Sequence, residues 1–205
     1  FFDFIPLAPD LLGIAVGDVS GKGVPAALFM AMARSLLRAE AHKNASPREV
    51  LERVNHHLMD LNEGEMFVTV LYGVLDGRAQ CFEYARAGHE LPVMCDDQGR
   101  VVPLPRGKGQ ALGIFDAVVA DEQKIHLPPG SMLLLYSDGL TDAVNASNEC
   151  FGIAQLHHRL PGMHAEPAQT VCADLNRMVA DHQGGVTRFD DVTVVVVRNT
   201  CSGPA

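Results

Sequence analysis

Two β-rich runs separated by a turn signal constrain the fold of this chain more than any other sequence feature. Residues 67–75 are rich in valine and other β-forming residues, they stop at Asp76-Gly77, and a second β-rich run follows at residues 81–86. An Asp-Gly pair between two such runs is typical of a hairpin, so the strands are predicted to be antiparallel. Helical patterns occur in pairs outside the hairpin. The chain is therefore predicted to form α+β layers and not alternating βαβ units.

The helices are predicted from their start signals and composition. Pro25 suits a first helical position, and residues 26–41 are strong helix formers that are apolar nearly all round. Ser46-Pro47-Arg48-Glu49 has the pattern of a capping box, which predicts a second helix running to about Leu61. A second pair of helices is predicted at residues 153–160 and 167–182.

Further strands are predicted wherever short β-rich runs lie between turn signals. These runs are residues 11–16, 91–95, 101–104, 118–127, 131–136 and 192–197. The last run is almost entirely valine, which is typical of a central strand that is covered on both faces.

Composition limits the class of protein. With 205 residues, 47% of them hydrophobic, the chain has enough apolar material for one sizeable core. It has no run of about 18 apolar residues and no signal-peptide pattern, so a cytoplasmic protein with no membrane segment is expected. A net charge of -9 without a Lys/Arg cluster argues against nucleic acid as a partner. The five cysteines are scattered and are expected to be reduced thiols.

Acidic residues follow or precede three of the predicted strands. Asp18 comes after the strand at residues 11–16, Asp138 comes after the strand at 131–136, and Asp190-Asp191 comes before the valine-rich strand. If these strands are neighbours, the carboxylates meet at one edge, where they need cations to neutralise their mutual repulsion. Oxygen ligands favour Mg²⁺ or Mn²⁺, and two such ions would acidify a water for attack on a phosphoester. Aspartate and glycine at strand ends are also ordinary turn formers, so each site alone is open to that interpretation.

Seven motifs follow one another along nearly the whole chain. They are Phe1-Phe2-Asp3-Phe4, Gly17-Asp18-Val19-Ser20-Gly21-Lys22-Gly23-Val24-Pro25-Ala26-Ala27, Ala87-Gly88-His89, Leu112-Gly113, Tyr136-Ser137-Asp138-Gly139-Leu140-Thr141-Asp142, Phe151-Gly152 and Asp190-Asp191-Val192-Thr193. In these motifs and their order the chain resembles the SpoIIE-like bacterial branch of the metal-dependent type 2C (PPM) serine/threonine protein phosphatases.

The resemblance implies a four-layer αββα sandwich of two antiparallel sheets flanked by helix pairs, with two divalent cations, Mn²⁺ or Mg²⁺. Carried over residue by residue, Asp18 bridges both cations and Val19 supplies its backbone carbonyl. Asp138 and Asp190 complete one coordination shell, with Asp191 as the second choice beside Asp190. Asp18, Asp138 and Asp190 are therefore the catalytic candidates. The implied reaction is dephosphorylation of phosphoserine or phosphothreonine on a partner protein, an anti-sigma-factor antagonist in bacterial stress signalling.

Two departures from the family pattern affect these expectations. Family members carry Gly-Gly-Asp just before the equivalent of Phe1, and this sequence begins after that point. The chain is thus expected to be the C-terminal catalytic part of a longer regulatory protein, residues 1–205 forming one phosphatase domain with a weakened second metal site. The eukaryotic branch has a histidine two positions after the bridging aspartate, as a proposed acid, whereas this chain has Ser20.

The same residues allow other interpretations. Ser20-Gly21-Lys22-Gly23 is similar to a P-loop, but the Walker pattern requires glycine where Val16 stands and Ser or Thr where Gly23 stands. His89 is expected to be a structural hydrogen-bonding group. The pairs His56-His57 and His157-His158 are expected at the surface.

Three matters of function are left open. One is a catalytically weak, phosphatase-like module that acts by binding a partner. Another is control by an upstream sensor or receiver domain through the helices at residues 26–61. The last is the oligomeric state, a homodimer included.

Overall fold

A computed structural model describes residues 1–43, 46–61, 66–185 and 190–200. These residues form two compact units: the first comprises residues 1–89 and 105–126, and the second comprises residues 90–104 and the chain from Leu127 onward. Each unit has one antiparallel sheet and two α-helices. The α+β class with two antiparallel sheets and paired helices is as predicted.

The described residues contain nine strands and four α-helices. The strands are β1 (Phe2–Ala8), β2 (Leu11–Val19), β3 (Val68–Asp76), β4 (Cys81–Ala87), β5 (Val93–Cys95), β6 (Val101–Val102), β7 (Asp121–His126), β8 (Met132–Tyr136) and β9 (Val194–Arg198). The helices are α1 (Val24–Ala41), α2 (Pro47–Leu61), α3 (Gly152–Arg159) and α4 (Ala168–Gln183).

The first unit is a five-stranded sheet in the order β1-β2-β3-β4-β7, covered on one face by α1 and α2. Ile5 and Ala15 of the sheet pack in one apolar cluster with Leu37 of α1 and Val54 of α2. The predicted capping box is present at the start of α2. Ser46 N donates to Glu49 Oε2 at 3.0 Å, and Glu49 N donates to Ser46 Oγ at 3.3 Å.

The second unit is a four-stranded sheet in the order β6-β5-β8-β9. One apolar cluster joins this sheet to α3 and α4, with Leu134 of β8 packed among Leu156, Leu175 and Val179 of the helices. Every second residue of β8, namely Met132, Leu134 and Tyr136, belongs to this cluster, and the apolar residues of α4 recur in it at a spacing of one helical turn.

The prediction that the valine-rich strand is central is wrong. Among the described residues, β9 is last in its sheet and pairs only with β8. Only Val195 of its residues is buried, and the rest are half-buried. Valine is enriched in strands because its β-branched side chain fits a pleated surface, so a valine run does not require burial on both faces.

The composition led to two expectations, one about the cysteines and one about membrane-spanning segments. Cys81, Cys95, Cys150 and Cys172 are free thiols, and Cys201 lies outside the described residues. Among the helices that the structure describes, none has the length and apolar character needed to cross a bilayer.

Candidate metal centre

Asp18 and Val19 are the last two residues of β2 in the first unit. Residues 13–17 of this strand are buried, whereas Asp18 and Val19 are half-buried, so the strand emerges from the core at these positions. Asp18 is opposite Thr69 and Val19 is opposite Val68 in the antiparallel ladder with β3. The ladder therefore fixes the main chain of both predicted ligands up to the end of the strand.

Ser20 attaches the loop after β2 to the residue that precedes β3. Its backbone N–H donates to Phe67 O at 2.9 Å, and its Oγ accepts from Phe67 N at 2.9 Å. The serine that stands where the eukaryotic branch has a histidine thus has a structural task. It holds the exit from the strand immediately after Asp18 and Val19.

Asp138 and Asp190 come together within the second unit. Asp138 follows β8 and begins a short 3₁₀ turn, and Asp190 precedes β9. Each offers a carboxylate oxygen, and these two oxygens lie within 4.8 Å of one another. They can do so because β8 and β9 are antiparallel neighbours, with Tyr136 opposite Val194. The end of one strand and the start of the other are therefore at the same edge.

Ser137 and Gly139 hold the chain around Asp191 against the turn that carries Asp138. The buried hydroxyl of Ser137 donates to Asp191 O at 3.1 Å and accepts from Thr193 N at 2.9 Å. A Cβ on Gly139 would lie 2.4 Å from Asp191 O, so this close approach requires glycine. Two residues of the quoted Tyr-Ser-Asp-Gly segment thus fix the spacing between the acidic residues of this unit.

The surroundings of the Asp138 carboxylate disfavour its charged form on balance. Its Oδ1 is buried and has no hydrogen-bond partner among the described residues. Burial raises the pKa of Asp138, and the neighbouring carboxylates of Asp190 and Asp142 raise it further. A buried oxygen that has no donor and lies beside another carboxylate is suited to a cation. The residues present therefore fit the hard divalent ion that the resemblance implies.

The predicted site residues thus fall into two local groups. Asp138 and Asp190 are together in the second unit, while Asp18 and Val19 are adjacent in the first. Asp191 is exposed, its carbonyl accepts from Ser137 and its N–H donates to Asp190 Oδ1 at 2.9 Å. The assignment of metal ligands remains a prediction.

Threonine hydroxyls contact the main chain of both principal aspartates, which the sequence interpretation did not foresee. Thr141 Oγ1 donates to Asp138 O at 3.2 Å, and Thr69 Oγ1 donates to Asp18 O at 3.4 Å. Thr141 lies inside the quoted motif and could have been singled out. Thr69 is one β-branched residue in a β-rich run, and its role depends on the register with β2, which the sequence does not specify.

The histidines occupy the positions expected for them. His157 and His158 are exposed, as is His56, and His57 is partly exposed with its Nε2 3.0 Å from Glu40 Oε1. His89 is buried and its Nδ1 lies 3.1 Å from Thr69 Oγ1. A structural hydrogen-bonding role for His89 agrees with this contact.

The comparison with protein families gives one match over most of the chain. The model of the family described as Stage II sporulation protein E (SpoIIE) matches residues 8–200. Among curated proteins, the chain is 29% identical over 226 aligned residues to protein IcfG of Synechocystis, covering 96% of this chain and 35% of IcfG. It is 28% identical over 193 residues to the phosphoserine phosphatase RsbU of Bacillus subtilis, covering 91% of this chain and 55% of RsbU. The chain thus spans about half or less of these relatives.

A solved structure has the same fold. The crystal structure of the RsbU and RsbW domains of a Mycobacterium tuberculosis protein matches with a TM-score of 0.83 and 25% identity. The match covers 100% of this chain and 56% of that one. This agreement confirms the predicted fold class.

Proposed function

Because the chain belongs to the SpoIIE family, we propose that it removes phosphate from phosphoserine or phosphothreonine of a partner protein with the help of divalent cations. The name of the relative RsbU, a phosphoserine phosphatase, supports the reaction type. The carboxylates of the chain support the cation requirement. The resemblance in sequence motifs supports an anti-sigma-factor antagonist as the phosphorylated partner.

The residues that would hold two cations, Mn²⁺ or Mg²⁺, are Asp18, Val19, Asp138 and Asp190, with Asp191 as the alternative to Asp190. When bound, such ions neutralise the carboxylates, polarise the phosphoryl group and lower the pKa of a water to make it a nucleophile. In this proposal the carboxylate of Asp18 and the backbone carbonyl of Val19 would be the ligands that the first unit supplies.

The observation that carries this proposal is the buried, partnerless Oδ1 of Asp138. A carboxylate with its pKa raised by burial and by like charges is unfavourable in the folded chain unless something compensates it. The chain resembles a family of metal-dependent protein phosphatases in its aspartates. Metal binding in that family gives a functional reason for a carboxylate in such a position. Ser137 and Gly139 support the same conclusion, since they hold the neighbouring acidic segment in place.

The experiment is an assay of the chain with a phosphoserine peptide and with p-nitrophenyl phosphate, at increasing Mn²⁺. We expect Mn²⁺-dependent phosphate release, and we expect Asp138→Asn and Asp190→Asn to lower kcat by about 100-fold or more, since a metal ion contributes several kcal/mol to the transition state. The matched control is Asp174→Asn, an acidic residue on α4 that pairs with Arg177. It should retain the activity of the parent chain.

Two results would change the proposal. Unchanged turnover in Asp138→Asn would exclude Asp138 from the catalytic site. Mn²⁺ binding without phosphate release from either substrate would favour the catalytically weak module that acts by binding a partner. Control by an upstream sensor or receiver domain predicts that a longer protein containing such a domain together with this chain differs in activity from the chain alone under different signals.

A further inference from the structure

A short polar relay within the first unit ends on the main chain of Asp18. Thr69 Oγ1 lies 3.4 Å from Asp18 O and 3.1 Å from His89 Nδ1. Thr69 is on β3, directly opposite Asp18 in the ladder, and His89 follows β4. The imidazole is 4% exposed. A buried histidine side chain therefore reaches the peptide between the two predicted ligands through one hydroxyl group.

A partly buried arginine, Arg86, holds the main chain of His89. Arg86 Nη1 donates to His89 O at 2.7 Å, and Arg86 Nη2 donates to Gly107 O at 2.9 Å. The preceding Gly88 has a φ of +71°, and a Cβ there would lie 2.9 Å from Ala111 N. These contacts fix the main chain from which the side chain of His89 extends. The burial of the imidazole and its contact with Thr69 then restrict the ring itself.

We propose that His89 is a positioning residue for the metal centre, acting through Thr69 on the carbonyl of Asp18. The inference rests on the proposed function, because it assumes that Asp18 and Val19 hold a cation. A threonine hydroxyl has one proton and can also accept a hydrogen bond. When Thr69 donates that proton to Asp18 O, its oxygen accepts from a protonated Nδ1 of His89. The relay thus selects one imidazole tautomer and one hydroxyl orientation.

The consequence for the cation follows from peptide geometry. The carbonyl of Asp18 and the N–H of Val19 belong to one planar peptide, so the hydroxyl of Thr69 adds to the constraint that the ladder with β3 already places on that plane. The plane in turn limits the direction of the Asp18 carboxylate on one side and of the Val19 carbonyl on the other. Groups that orient metal ligands typically change metal affinity by about 10- to 100-fold. Because the Thr69 to Asp18 hydrogen bond is long, we expect an effect at the lower end of this range.

The test measures Mn²⁺ affinity directly, by the loss of the free-ion electron paramagnetic resonance signal, on the chain without substrate. Thr69→Val deletes the hydroxyl and keeps the branched shape, and it should weaken Mn²⁺ binding by about 10-fold. Thr69→Ser keeps the hydroxyl and should stay within about twofold of the parent chain. Thr170→Val, on α4, is the matched control and should bind Mn²⁺ as the parent chain does.

The histidine is tested by two amides that resemble different nitrogens of the ring. Asn carries its amide near the position of Nδ1, whereas Gln carries its amide near the position of Nε2. We expect His89→Asn to retain most of the Mn²⁺ affinity and His89→Gln to lose about as much as Thr69→Val. Far-UV circular dichroism without metal checks that each variant is folded. If a histidine variant does not fold, the Thr69→Val and Thr69→Ser pair still tests the Thr69 contact, without which His89 has no connection to Asp18.

An Asp18→Asn variant separates failure of this inference from failure of the proposed function. Loss of Mn²⁺ binding in Asp18→Asn, together with parent-like binding in Thr69→Val and His89→Gln, overturns the positioning role alone. Parent-like binding in Asp18→Asn overturns the proposed metal centre, and the positioning role with it. Weakening in Thr69→Val that Thr69→Ser does not share supports the relay.

Discussion

Asp3 of the first unit and Asp138 of the second have opposite electrostatic environments, and their pKa values are shifted in opposite directions. Asp3, on β1 of the first unit, is 4% exposed and accepts hydrogen bonds from two arginines of α1. Although burial raises the pKa of Asp3, the hydrogen bonds from Arg38 and Arg34 outweigh this effect and lower the pKa. Asp138 has no such donor for its buried Oδ1 among the described residues, and its pKa is raised.

The charge of Asp3 is compensated by side chains of the chain itself, whereas we expect the charge of Asp138 to be compensated by a bound ligand. Arg38 contacts both oxygens of Asp3, at 3.0 and 2.8 Å, so β1 and α1 are joined by a complete ion pair. The neighbours of Asp138 are the like charges of Asp190 and Asp142. We therefore expect Asp3 to serve the stability of the fold and Asp138 to serve cation binding, and the following predictions test this distinction.

The largest expected effect is stabilisation of the chain by Mn²⁺. At a free concentration 100 times the dissociation constant, a ligand that binds only the folded state raises the free energy of unfolding by about 2.7 kcal/mol. Denaturant unfolding with and without Mn²⁺ should show this gain in the parent chain and should show little of it in Asp138→Asn. Without metal, Asp138→Asn should be at least as stable as the parent chain, because it removes a charge that burial and neighbouring carboxylates disfavour.

Asp3→Asn is the control for that experiment, since it changes a buried aspartate of the other kind. It should start from a lower stability yet gain as much from Mn²⁺ as the parent chain. Equal gains in all three proteins would show that Asp138 is no ligand, and the distinction between the two aspartates would then have no basis in metal binding.

The next effect is the loss of stability caused by Asp3→Asn itself. The substitution leaves Arg34 and Arg38 without their carboxylate. Removing one partner of a fully buried ion pair costs about 3–5 kcal/mol, but both arginine side chains are nearly half exposed and water compensates much of the loss. We expect a decrease of about 1–2 kcal/mol in the free energy of unfolding of the first unit. Urea titration followed by far-UV circular dichroism measures it, and a change near zero would contradict the structural role.

The sequence was sufficient to predict the site in part, because its signals are local. Asp18 and Asp138 were identified by their position at strand ends, and the Tyr-Ser-Asp-Gly segment already contained Ser137 and Gly139. The helices were predicted to within a few residues, since caps and apolar spacing are also local signals.

What the sequence could not provide depends on contacts between distant residues. Asp3 pairs with arginines that are 31 and 35 positions away, and Thr69 faces Asp18 across a ladder whose register is a tertiary property. The position of β9 at the end of its sheet depends on which strands pair, and valine content does not determine that. Sequence reasoning therefore located the acidic residues but not the groups that hold or neutralise them.

The two aspartates should also respond oppositely to pH, in metal-free protein with a chelator present. The pKa of Asp3 is lowered in the fold from its usual 3.8, so its stabilising contribution is present above pH 3.8 and is lost as the pH falls through the folded value. The pKa of Asp138 is raised, so its unfavourable charge is absent below pH 3.8 and develops as the pH rises through the folded value.

Unfolding at several pH values therefore gives two trends of opposite sign. The stability advantage of the parent chain over Asp3→Asn should shrink on acidification below about pH 4. The advantage of Asp138→Asn over the parent chain should grow as the pH is raised from about 4 toward neutrality. Trends of the same sign for both variants would mean that the two carboxylates are in similar electrostatic environments.

The smallest expected effect is the loss of stability when one of the two arginines that contact Asp3 is replaced by lysine. Arg38 contacts both carboxylate oxygens and also donates to Phe4 O, whereas Arg34 donates only to Oδ1 among the hydrogen bonds found with Asp3. Lysine keeps the charge but cannot form the fork, so Arg38→Lys should lower the midpoint of urea unfolding more than Arg34→Lys. Both changes should be smaller than that of Asp3→Asn, because one arginine remains in each variant. If Arg34→Lys were the more damaging substitution, the bidentate contact would not be what compensates the charge of Asp3.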